Sequence, residues 1–138
     1  MKKDRFDTFG PILSEIGGAL ANVAGGDPDG VFLYVEIGQG WSRPSAYRDE
    51  GEAVRYFDCG DRILIDLLWK ACRAEPEERR WSVMEYDVKG NAFAVAFKYR
   101  DEVDVEVMDD GRVDAALRAR YGDKPVVYPP LREGAFQL

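Results

Sequence analysis

Seven carboxylates fall between positions 101 and 114: Asp101, Glu102, Asp104, Glu106, Asp109, Asp110 and Asp114. Arg112 is the only base among them. The whole chain has 26 acids against 19 bases and a net charge of −7, which leaves 19 acids against 18 bases elsewhere. The acidity is therefore local. Carboxylates at this density can ligate a hard cation such as calcium, keep an exposed strand from pairing with another chain, or attract a basic macromolecule. Their spacing is not that of an EF-hand loop. Asp27-Pro28-Asp29-Gly30 fails the same pattern, with proline at its second position and no acid at the closing distance. No metal or other cofactor is expected. A field of this sign repels phosphate backbones, so direct nucleic-acid binding is disfavoured and a basic protein is the expected partner. Asp101, Glu102, Asp104, Glu106, Asp109 and Asp110 are the candidate binding residues.

A second constellation mixes aromatic and basic residues: Trp41, Arg43, Tyr47, Arg48, Arg55 and Tyr56. If 41–48 and 53–57 pair as strands, Trp41, Arg43 and Tyr47 share one face. These residue types are enriched at the energetic centres of protein interfaces, which makes the three candidate anchors. The alternative stands beside it: Trp41 and Tyr47 cover the rim of the core while the arginines pair with Glu50 and Glu52.

Catalytic chemistry is harder to find. Histidine is absent, which removes Ser-His-Asp and Cys-His systems and the usual neutral-pH base. Gly38-Gln39-Gly40 opens a strand rather than a helix, so it is not a dinucleotide fingerprint. Asp66 and Glu85 sit in otherwise apolar elements and are the only carboxylates suggestive of acid–base work, as in a histidine-free hydrolase. Cys59 has Asp58 and Asp61 beside it, which would raise its pKa and suppress thiolate formation. Cys72 falls on a helix some 13 residues on, about 20 Å away if the stretch is mostly helical, too far for a disulfide. The expectation is no enzyme.

These groups must be positioned by a small set of elements. Apolar residues Phe6, Phe9, Ile12, Leu13, Ile16, Leu20 and Val23 recur at helical spacing over 4–24. Gly17-Gly18 inside that helix suggests close packing on a sheet. Strands are expected at 31–37, 41–48 and 53–57, and a second helix at 61–74 carries Ile63, Leu64, Leu67, Leu68, Ala71 and Cys72. A hairpin at 81–99 turns around Lys89-Gly90. Its second strand is apolar on both faces, which predicts a central place, with a helix over Ala92, Ala94 and Ala96. Pro44 predicts an edge for 41–48. Val103, Val105 and Val107 alternate with acids, which predicts an extended edge segment. A third helix at 112–121 and an extended tail at 126–130 complete the chain.

The expected fold is α+β: an antiparallel β-sheet of four to five strands with two to three α-helices packed on it, in one domain spanning 1–138. The 4–24 and 61–74 helices should cover one face. No apolar run approaches the roughly 20 residues of a membrane helix. Lys2 and Lys3 lead into Asp4 and Asp7 rather than an apolar stretch, so a cytoplasmic protein without a membrane partner is expected. Segments 41–48 and 126–131 are apolar enough to offer a homodimer contact.

Three stretches resemble a known family. They are Val31-Phe32-Leu33-Tyr34-Val35-Glu36 with Gly40-Trp41 and Tyr56-Phe57-Asp58; Trp81 with Met84-Glu85-Tyr86 and Phe97-Lys98-Tyr99; and the run from Leu117 through Tyr121-Gly122-Asp123-Lys124-Pro125 to Pro129. Together they look like the YezG-like immunity proteins and their uncharacterised small bacterial relatives. The resemblance implies an α+β fold with an antiparallel sheet and an antitoxin that neutralises a secreted toxin, often a nuclease. It carries no catalytic or ligand residues. The competing expectation is a housekeeping interaction domain with no toxin partner.

Overall fold

Val31–Gly38 (β1) is buried from Val31 to Ile37 because the sheet around it is covered on both faces. In this computed structural model, which describes residues 5–128 and side chains from Gly10 onward, Val31, Leu33, Val35 and Ile37 face one core. Phe32 and Tyr34 face a second. β1 pairs antiparallel with β2 (Trp41–Asp49) on one side and β4 (Trp81–Lys89) on the other. The full order is β5-β4-β1-β2-β3-β6, where β3 is Val54–Phe57, β5 is Ala92–Tyr99 and β6 is Val126–Val127. Only β6 runs parallel to its neighbour, β3. The sheet thus has six strands and is mixed, against the expected four to five antiparallel ones. The extra strand is two residues of the tail. Residues 129–131, part of the predicted extended tail, lie outside the described residues.

Two helices cover the first face, as their apolar spacing predicts. In α1 (Arg5–Val23), Leu13, Ile16 and Leu20 are buried. A side-chain carbon at Gly17 would lie 3.0 Å from the Tyr86 hydroxyl, and that hydroxyl donates to the Leu13 carbonyl at 2.6 Å. Gly17 is thus the close approach that the glycine pair suggests. Gly18 has open space beside it. In α2 (Arg62–Arg73), Asp61 caps the start by accepting from the Leu64 amide at 2.9 Å. Leu64, Leu67, Leu68, Ala71 and Cys72 are buried, while Ile63 projects outward. No described helix is long and apolar enough to cross a membrane.

Three placements differ from expectation. β2 is an interior strand along its second half, where Ala46 to Asp49 pair with β3. Pro44 is accommodated because it lies in the first half, where β2 has a partner only in β1. The 81–99 hairpin is central only through β4, and β5 is the edge. β1 has already taken β4's other side, so the hairpin partner must fall outermost. The Ala92, Ala94 and Ala96 face of β5 is exposed, with no helix over it. Its apolarity is smallness rather than burial. Finally, 101–110 forms a chain of turns rather than an extended segment. Val105 is buried in the second core with Val103 partly covered beside it, and α3 (Gly111–Tyr121) completes that layer.

Candidate acidic docking loop

The loop over the second face is shaped by its own carboxylates. Glu102 accepts from the Tyr99 amide at 2.9 Å, Asp104 from the Glu106 amide at 3.0 Å, and Asp109 from the Gly111 amide at 2.8 Å. Acids with local amide partners favour turns over a strand, which is why alternation of valine and acid misleads here. Glu106 reaches back to the β1–β2 turn, accepting from the Gln39 amide at 2.7 Å and the Trp41 indole at 3.2 Å. Those two donors hold its carboxyl below the ordinary range. The Trp41 ring lies across Gly38, where any side-chain carbon would come within 2.3 Å of it.

The two sequence-predicted constellations meet at this point. Trp41, Arg43 and Tyr47 share one face of β2, as expected, and it is the face beneath the acidic loop. Trp41 binds Glu106, and Arg43 binds Asp110 at 2.8 Å. Tyr47 is buried between Phe32 and Tyr56. Arg55 pairs with Glu50 at 2.9 Å. The trio therefore supports the loop from below, and its side chains are engaged within the chain.

Sequence patterning passes over the residue that fastens the layer. Glu36 is an acid in an apolar strand and is only 3% exposed. Arg112 donates to both of its oxygens, at 3.0 and 3.1 Å, and the Tyr34 hydroxyl donates at 2.7 Å. Burial pushes the Glu36 pKa up, but the Arg112 and Tyr34 hydrogen bonds outweigh it and the net shift is downward. Burial and the neighbouring carboxylate push the Tyr34 hydroxyl well above its usual value. The only base in the acidic segment is thus turned inward. Arg120 repeats the device further along α3: it lies 3.8 Å from the Phe32 ring centre and binds Asp87 at 2.5 Å. Lys124 binds Asp49 at 2.7 Å. No residue of α3 is fully buried, so these pairs do much of the fastening.

What remains outward is negative and partly apolar. Asp101 and Asp114 make no ion pair among the described residues. Val107 and Met108, at 59% and 66% exposed, stand in the middle of the loop. Sequence patterning assigns Val107 to an apolar face and overlooks Met108. No group of three or more Cys, Asp or Glu side chains among the described residues has metal-holding geometry. Asp66 is on α2, against the first face, where it lies 4.0 Å from Arg62. Glu85 belongs to the second face, opposite Tyr34 and 4.0 Å from Arg120. The sheet separates the two carboxylates, so they do not form a catalytic pair. Cys59 and Cys72 are buried free thiols. Burial, reinforced by Asp58 and Asp61, pushes Cys59 up to about 12. Comparison with protein-family models and with curated proteins finds no match to this chain.

Proposed function

We propose that this protein is an immunity-type binding protein that docks a basic toxin domain on the 101–110 loop and blocks it without catalysis. The observation that carries this is the loop's composition at the surface. Its acids are solvent-exposed even where they brace the loop, the one base of the segment is spent on Glu36, and Val107 and Met108 stand exposed among them. A basic cleft that normally holds phosphates would meet carboxylates arrayed on a braced loop, with two apolar side chains to desolvate. The resemblance to YezG-like proteins supports the same class. Charge of this kind accelerates encounter, and the advantage shrinks as salt rises past about 0.15 M.

The rival is an interaction domain whose acids only shape and solubilise the loop. The amide contacts of Glu102, Asp104 and Asp109 favour it to that extent. The test must therefore spare the loop-shaping acids. Co-express the chain with the product of the adjacent gene and measure rescue and co-purification. Then compare Val107→Ser/Met108→Ser and Asp101→Asn/Asp114→Asn with the parent chain. Loss of rescue in the first and a slower, less salt-dependent association in the second are expected. Unchanged association and rescue in both folded variants would remove the loop as the recognition surface.

A further inference from the structure

The acidic loop also walls a cavity of about 580 Å³ at the end of the sheet where α2 finishes, β4 begins and β5 ends. That volume falls in the range of small-molecule sites. Three arginines line it from three different elements: Arg73 closes α2, Arg80 precedes β4 and Arg100 follows β5. Burial raises the Cys72 thiol pKa, and the charges of Arg80, Arg73 and Arg100 each oppose that rise. Arg43, Arg55, Arg62, Arg112 and Arg120 all pair with carboxylates. Among the described residues Arg73, Arg80 and Arg100 do not.

Their known contacts leave most of their donors open. Arg73 stacks over Trp69 at 5.0 Å, and Arg80 donates one Nε hydrogen bond to the Glu75 carbonyl at 3.3 Å. Glu77, Asp104 and Glu106 also line the cavity. Glu106 accepts from Gln39 and Trp41 and also feels the Arg100 charge, and Asp104 accepts the Glu106 amide, so the three carboxylates offset part of the arginine charge at the wall. A second observation concerns Trp81, which lines the cavity and is 1% exposed. Its indole N–H has no hydrogen-bond partner among the described residues. Buried donors are rarely left so in a folded chain.

We propose that this cavity binds a small organic oxyanion, a phosphate ester or polycarboxylate, held by Arg73, Arg80 and Arg100 with its body against Trp69. Guanidinium forks match phosphate and carboxylate oxygens two at a time, and this geometry distinguishes them from a lysine cluster. The site is independent of the docking loop's partner, so its failure would leave the immunity assignment untouched.

The full chain is titrated with inorganic pyrophosphate, 3-phosphoglycerate and citrate, each against sodium chloride at matched ionic strength. Tryptophan fluorescence and the thermal midpoint are read. At least one probe should give a saturable signal and a raised midpoint. Response to the two phosphates alone, or to citrate alone, assigns the ligand's chemistry. Arg73→Gln/Arg100→Gln removes two exposed guanidinium groups and should weaken binding about tenfold or more. Arg73→Lys/Arg100→Lys should recover only part of it. If the glutamine pair impairs folding, Arg100→Glu alone should abolish the response. No saturable response to any probe up to about 10 mM, or unchanged binding in the folded variants, overturns the proposal.

Discussion

Arg112 joins the acidic loop and α3 to the sheet, and Arg112→Met tests that joint. The substitution keeps an unbranched stem and removes the group that donates twice to Glu36. Glu36 keeps only the Tyr34 hydroxyl in a site that is 3% exposed. Removing one member of a buried ion pair costs about 3–5 kcal/mol. The stranded carboxylate has an escape, since it can take up a proton. From an ordinary glutamate value near 4.5, neutralisation at pH 7 costs about 3.4 kcal/mol at roughly 1.36 kcal/mol per pH unit. That caps the charge penalty, so the expected loss is about 3–4 kcal/mol at pH 7. At pH 5 the proton costs under about 1 kcal/mol, and the deficit should fall by about 2–3 kcal/mol. The parent chain behaves in the opposite sense. Its Glu36 pKa is depressed, so the pair's contribution is complete above the unfolded value near 4.5 and is lost as pH falls through the folded value. Urea unfolding at pH 7 and pH 5, followed by circular dichroism, gives both differences. Glu36→Gln/Arg112→Met should recover much of the loss, because no charge is left buried. A deficit under about 1 kcal/mol at pH 7, or one equal at both pH values, refutes the reasoning.

Gly38→Ala drives a methyl group into the Trp41 indole, which should cost about 1–3 kcal/mol and shift tryptophan emission to the red as the ring leaves Glu106. An unchanged spectrum would mean that the turn yields instead. Cys59 and Cys72 are buried, and burial raises both thiols, so a disulfide-exchange reagent at pH 8 should label neither until urea unfolds the chain. Rapid labelling of the native protein would contradict that burial. Val107→Ser removes a side chain largely in water, and Met108→Ser one that gives up only a 3.9 Å contact of its sulfur with Arg43; each should change stability by no more than about 0.5 kcal/mol, which makes them usable probes of docking. A larger loss on thermal unfolding would show that the pair packs within the chain.

Much of this molecule is legible without coordinates because the relevant forces are local or periodic. The helical spacing of Leu13, Ile16 and Leu20 specifies an element and its buried face, and the apolar run from Val31 to Ile37 specifies a strand. The acidic character of 101–114 is composition alone. The thiol argument at Cys59 needs only its neighbours Asp58 and Asp61, with burial as the larger part added by the fold.

Strand order is another matter. An edge or a centre is decided by which strands compete for a backbone, and β5 is apolar on both faces yet outermost because β1 already holds β4. Pro44 reports only its own stretch of β2, and pairing with β3 begins two residues later, at Ala46. The 101–110 alternation of valine and acid fits a strand or a turn equally well, until the carboxylates find amides within reach. Arg112 and Glu36 lie 76 positions apart, and no local pattern pairs them. The partner of Trp41 is likewise 65 positions away, in Glu106. Sequence alone determined which residues are charged, which are apolar and which must turn. Tertiary structure decided which charges are spent on one another inside the chain and which remain at the surface to meet another molecule, because an ion pair depends on distance in space and not along the chain.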